Sequence, residues 1–148
     1  VLAAPHAAEA QQPERLRRIG VLMGYAETDP DAQTNVAAFR EGLLKLGWAE
    51  GRNIRTDIRW PIPADVQSMQ RFAKELVALQ PDVILSHITP TTAALLKHTR
   101  TIPIVFATVS DPIGSGFVAS FQRPGGNVTG FTSIEPTMAA KWLQLLKE

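Results

Sequence analysis

Five short apolar runs alternate along the chain with stretches whose apolar residues recur at helical spacing, and this alternation restricts the possible folds most. The runs are Arg17 to Met23, Ile54 to Trp60, Val83 to Ser86, Ile104 to Val109 and Val128 to Phe131. Parallel strands need crossovers long enough to hold a helix, so such repetition points to a parallel sheet with helices on both faces. Right-handed crossovers leave few topologies. The expectation is a doubly wound α/β fold with a five-stranded parallel sheet in the order 2-1-3-4-5.

Between the runs, Val36, Phe39, Leu43 and Leu46 fall on one helical face, and Gly47 stands where a glycine ends a helix. A second helix follows Asp65 and carries Met69, Phe72, Ala73, Leu76 and Leu79. A third is expected from Thr91 to Thr99, and a short helix or irregular crossover from Gly114 to Phe121. A last apolar stripe, Met138, Trp142, Leu145 and Leu146, predicts a helix from Pro136 to Lys147. Within Ile54 to Trp60, Ile54, Thr56, Ile58 and Trp60 alternate with the charged Arg55, Asp57 and Arg59, the pattern of a half-exposed edge strand.

Composition narrows the function. The 148 residues carry 15 basic and 14 acidic side chains without a basic block, so the footprint of a nucleic-acid binder is missing. The absence of cysteine removes thiolate chemistry, disulfides and Cys-based metal sites. No apolar run is long enough to span a bilayer. The start, VLAAPHAAEAQQ, has Ala8 and Ala10 in the small-residue arrangement of a secretory cleavage site. Residues 1–16 are therefore expected to be the remnant of a signal peptide or a disordered tail, with a binding lobe over 17–135.

Four prolines occupy equivalent places after strands: Asp29-Pro30, Thr89-Pro90, Asp111-Pro112 and Glu135-Pro136. Proline suits a first helical position and the residue before it suits a cap, so any one pair is explained as a helix start. In a parallel sheet, however, all four gather at the carboxyl edge, where open α/β sheets bind ligands and helix N-termini favour anions. The candidate binding residues at that rim are Tyr25, Glu27, His87, Thr89, Thr91, Ser110, Asp111, Thr132 and Ser133. Thr89 and Thr91 would offer hydroxyls to a carboxylate, and Asp111 or Glu27 would face an ammonium.

Catalytic and cofactor motifs are weak. Gly114-Ser115-Gly116-Phe117-Val118-Ala119 fits a loose dinucleotide fingerprint, but Ser110 to Ile113 separate it from its strand. The sequence has no Walker loop, no zinc-protease motif and no nucleophile elbow. His6, His87 and His98 are too scattered to suggest a metal site. No catalytic residue, metal ligand or cofactor is assigned.

IGVLMG, ETDPDAQTNVAAFREGLLKLGWAEGRNI, LVALQPDVIL, TIPIVFATVSDPIGSGFVASFQRPGGNVTGFT and KWLQLLKE resemble segments of ABC transporter substrate-binding proteins, the family with tryptophan- and tyrosine-type amino-acid receptors. The similarity runs from about Arg17 to the last residue. It implies one lobe of a two-lobed, type I periplasmic binding protein that closes on a small molecule and delivers it to a membrane permease. The helix at 136–148 would lead towards a second lobe, and the protein would be periplasmic and not itself membrane-spanning. Two other readings share the scaffold: a nucleotide- or flavin-using enzyme domain, and the sensor domain of a regulator.

Overall fold

A computed structural model describes residues 15–132; Ser133, the helix expected at 136–148 and most of the expected N-terminal tail lie outside the described residues. The elements are β1 (Arg17–Leu22), α1 (Pro30–Lys45), β2 (Ile54–Arg59), α2 (Val66–Ala78), β3 (Val83–His87), α3 (Thr89–Leu96), β4 (Ile104–Ala107) and β5 (Val128–Phe131). The five strands form one sheet in the order β2-β1-β3-β4-β5, and every pairing is parallel, as the alternation predicts. The register sets Gly20 beside Asp57 and Ile84, Ser86 beside Phe106, and Phe106 beside Gly130.

Side chains alternate across a strand, so the central strands supply two cores. Leu22, Ile84, Ile104 and Phe106 pack with Met69, Ala73 and Leu76 of α2 and Ala94 and Leu95 of α3. Ile19, Val21 and Met23 pack on the other face with Ala32 and Val36 of α1. Asp29 caps α1, its carboxylate accepting from the N–H groups of Asp31 at 2.9 Å and Ala32 at 3.0 Å. Asp65 caps α2 in the same way. Gly47 and Gly51 adopt φ values of 86° and 75°, the left-handed region in which glycine avoids strain, and between them the chain turns from α1 into β2.

The structure refines the sequence reading in detail. β4 ends at Ala107 rather than Val109, because Thr108 takes a φ of 60° that no strand accommodates. Between β4 and β5 the chain makes turns, so the irregular crossover and not the short helix is the outcome. Strand β2 is at the edge as expected, but its polar side is covered. The Arg18 Nε lies 2.7 Å from the Asp57 carboxylate, and Arg59 Nε lies 3.2 Å from Glu75 of α2.

A second acid ties the amino ends of β1 and β3 together. The Asp82 carboxylate accepts from the Arg18 N–H at 2.8 Å and from the Arg17 guanidinium at 3.1 Å, while its own N–H donates to the Arg18 carbonyl at 2.8 Å. The side-chain hydrogen bond from Arg18 holds the Asp57 carboxyl below its ordinary value, and the backbone N–H of Arg18 does the same to Asp82. A carboxylate with a depressed native pKa contributes stability above its unfolded value of about 3.9 and loses it as pH falls through the native value. The melting temperature should therefore drop steeply as pH falls below about 4. Asp57→Asn and Asp82→Asn should each start lower near neutral pH and show a shallower acid limb, which melting curves between about pH 6 and 2 would check.

Candidate functional site

The carboxyl edge is built from the exits of β1, β3, β4 and β5, which are consecutive in the sheet. From β1 the chain passes Met23 and Gly24 to Tyr25. A Cβ on Gly24 would stand 2.3 Å from the Ile88 side chain, so only glycine lets the two exits approach this closely. Tyr25 is 39% exposed and meets the His87 ring edge-on, with centroids 4.9 Å apart at 76°. Glu27 is exposed beyond it, its carbonyl accepting from the Gln33 side chain.

His87 ends β3 and is buried, and its Nδ1 is enclosed without a hydrogen-bond partner. Burial lowers its pKa below the ordinary histidine value, so the ring is neutral at pH 7. Ile88 follows with φ 71° and ψ 163°, a conformation that a β-branched residue adopts only under constraint. Its N–H donates to Ala107 at 3.0 Å, and its carbonyl is within 2.9 Å of the Thr91 hydroxyl and 3.0 Å of the Thr92 hydroxyl.

Below Ile88 lies a buried hydroxyl cluster. Ser86 Oγ is 3.1 Å from Thr91 Oγ1 and 2.8 Å from Thr92 Oγ1, and the Thr91 hydroxyl also donates to the His87 carbonyl. All three residues are fully buried. This corrects the expectation for Thr91: its hydroxyl closes the junction of β3 and α3 from within and is not presented to a ligand. Helix α3 starts at Thr89 rather than Thr91, with Pro90 in its first turn and no side chain capping it. Thr89 is therefore a half-buried first-turn residue beside uncapped backbone.

Beyond β4, Ser110 and Asp111 are exposed. Asp111-Pro112 opens a turn instead of a helix: Asp111 Oδ1 accepts from the Gly114 N–H at 2.7 Å, and its carbonyl accepts from Ser115 N–H at 2.9 Å. Gly114 to Ala119 thus sit within turns, and the loose dinucleotide fingerprint lacks the helix that would hold a pyrophosphate. Thr132 donates to the Val109 carbonyl at 2.8 Å, joining the exits of β4 and β5. Ser133 lies outside the described residues. Among the described residues no three His, Cys, Asp or Glu side chains cluster as a metal site would require, and no helix is long and apolar enough to cross a membrane.

The model of a family described as ABC transporter substrate binding protein matches residues 26–148. The chain belongs to that family. Among its relatives, a tyrosine-binding protein of Clostridioides difficile is 34% identical over 103 residues, covering 68% of this chain and 30% of its own length. A conserved domain protein of Vibrio cholerae superposes with a TM-score of 0.77 at 31% identity, over 90% of this chain and 44% of its own. An ABC domain from Streptococcus pneumonia, solved in complex with L-Trp, gives a TM-score of 0.70 at 28% identity, covering 79% and 38% of the two chains. The chain thus spans less than half the length of these relatives.

The sequence reading brought Tyr25, His87, Thr89, Ser110 and Asp111 to one edge and missed Ser86, Ile88 and Thr92, which set its geometry. The signal for them was the SHITPTT segment, where four hydroxyl residues crowd one strand–helix junction. Thr92→Val keeps the shape but leaves the Ile88 carbonyl and Ser86 hydroxyl short of a partner. Urea denaturation should show a loss of about 1–3 kcal/mol, with faster amide exchange at the start of α3. Thr34→Val, at an exposed helix position, should change stability by about 0.5 kcal/mol or less.

Proposed function

We propose that this chain is the ligand-binding lobe of an ABC importer's extracytoplasmic receptor, and that it holds an amino acid at the carboxyl edge of its sheet. The observation that carries the proposal is the uncapped first turn of α3 after β3, together with the exposed Asp111 that follows the neighbouring strand β4. The helix end offers backbone N–H groups and partial positive charge to a carboxylate, and Asp111 offers the opposite charge to an ammonium. An α-amino acid carries both groups. In this reading Tyr25 forms an aromatic wall, Thr89, Ser110, Thr132 and Ser133 supply hydroxyls around the ligand, and Glu27 stands at the outer rim.

Relatives more than twice as long support a second lobe that shuts over the ligand, with residues 136–148 leading towards it. The small-residue pattern at Ala8 and Ala10 supports export to the periplasm, where the receptor would dock on the membrane permease. The binding of L-Trp and tyrosine by relatives makes aromatic amino acids the first ligands to test.

The test is thermal melting and calorimetry on the longest natural form of the protein, with L-Tyr, L-Trp, tyramine and 3-(4-hydroxyphenyl)propionate. A ligand that binds only the folded state raises the melting temperature. The amino acid should bind best, and loss of either its carboxylate or its amine should weaken binding about 10- to 100-fold, the range of one charge-assisted hydrogen bond. Asp111→Asn retains an acceptor for Gly114 but loses the charge, so it should weaken L-Tyr and leave the propionate unchanged. A melting shift with nucleotides or flavins alone would overturn the proposal.

A further inference from the structure

At the amino edge of the sheet, the end opposite the rim, two cavities adjoin. One, of about 420 Å³, is walled by Ile19, Leu43, Trp48, Ile54 and Val83 and also touches Arg17 and Asp82. The other, of about 280 Å³, is lined by Arg15, Arg17, Trp48 and Asn53. Arg17 and Trp48 line both, so the two make one concavity with an apolar chamber and a polar mouth. The register explains its place: Arg17 pairs with Ile54 where β1 and β2 begin, and Ile19 pairs with Val83 where β3 begins. A chamber of this volume is within the range of about 300–1,000 Å³ typical of small-molecule sites.

The wall between chamber and mouth is held rigidly. Trp48 is 38% exposed, yet its N–H donates to the Leu43 carbonyl at 2.9 Å. The Asn53 side chain accepts from the Ala49 N–H at 2.7 Å, and Asn53 and Arg52 both donate to the Gly47 carbonyl, at 3.0 and 2.9 Å. A part-exposed ring fixed by its own loop over an apolar chamber is pre-organised to pack against a ligand. The mouth is cationic. Among the described residues lining the two cavities Asp82 is the single acid, and its Oδ1 faces two guanidiniums, Arg17 at 3.1 Å and Arg15 at 3.6 Å. Its Oδ2 already accepts from the Arg18 N–H at 2.8 Å. One carboxylate balances one of the two cations, and both arginine side chains are more than half exposed, so their donors reach solvent at the mouth.

We propose that this concavity binds a small organic monocarboxylate, its apolar tail packed in the chamber against Trp48 and its carboxylate on Arg15 and Arg17. The site lies at the other end of the strands from the α3 and Asp111 groups that would hold an amino acid, so it stands or falls independently of the importer reading.

Octanoate, octylammonium and butyrate are the probes, titrated into the longest natural form of the protein and followed by calorimetry and two-dimensional NMR. Octanoate should bind with resonance shifts concentrated at Ile19, Leu43, Ile54, Val83 and the Trp48 indole N–H. Butyrate, which lacks four methylenes, should bind at least about 10-fold more weakly, and octylammonium, which reverses the charge, should be weaker than octanoate by about 3- to 10-fold or more. Arg15→Gln, at an exposed position, should narrow the gap between octanoate and octylammonium. Asp82→Asn removes the competing carboxylate and should tighten octanoate about 2- to 5-fold although it lowers the melting temperature, a gain that no folding defect mimics. Val83→Phe fills the chamber and should abolish octanoate binding; if melting curves show that it fails to fold, Trp48→Ala serves instead and should weaken octanoate. Equal binding of octanoate and octylammonium would overturn the proposal, as would no binding of octanoate, or shifts centred on Tyr25 and His87. Binding to phosphatidylglycerol vesicles without binding to octanoate would overturn it in favour of a membrane contact. L-Tyr titrated in parallel separates the readings: L-Tyr binding that persists at saturating octanoate leaves both sites standing, and octanoate binding without any amino-acid binding removes only the importer reading.

Discussion

The hydroxyl cluster of Ser86, Thr91 and Thr92 is the interaction on which the rim depends. It lies in the dry interior, where each O–H must find an acceptor, and its acceptors are the carbonyls of His87 and Ile88 at the end of β3. Satisfying them holds Ile88 in a backbone conformation it would otherwise leave. That conformation turns the chain from β3 straight into α3 without a capping residue, so the first turn of the helix keeps its N–H groups for other partners. Three buried hydroxyls thus shape a strand–helix junction whose first turn has no side-chain cap.

A parallel sheet buries strands on both faces, and this made much of the architecture readable. Near-continuous apolar runs such as Val83 to Leu85 and Ile104 to Phe106 have few alternatives to a central strand, and the charged alternation at Arg55, Asp57 and Arg59 placed β2 at an edge. What alternation alone did not convey was where those charges go. Arg18, on the neighbouring strand, reaches Asp57 because the register sets it opposite Arg55, two residues away on the same face, and Glu75 meets Arg59 because α2 lies across that side of the sheet. Register is a tertiary property, set by packing and absent from any single segment.

The rim was legible as a location but only partly as chemistry. Asx-Pro pairs mark chain reversals after strands, yet Asp29 caps a true helix whereas Asp111 caps a turn. The difference lies downstream: α1 continues into Val36 and Phe39 at helical spacing, while Pro112 is followed by two glycines within four residues. Thr91 illustrates a second limit. A threonine near a helix start suits a ligand hydroxyl and an internal hydroxyl equally well by type, and only the position of Ser86 beneath it decides.

Strand β1 lies between β2 and β3, with Val21 and Leu22 fully buried. It is also the first of these five strands to be synthesised, while the partner on its inner edge ends only at His87. Throughout that interval the growing polypeptide holds an apolar strand with an unpaired edge, and no shorter nascent segment can complete its hydrogen bonding. Such a chain folds late and stays extended longer than a protein built from neighbouring hairpins. The same central position that makes β1 the most protected strand of the finished lobe makes it the one most in need of a chaperone while the lobe is being made.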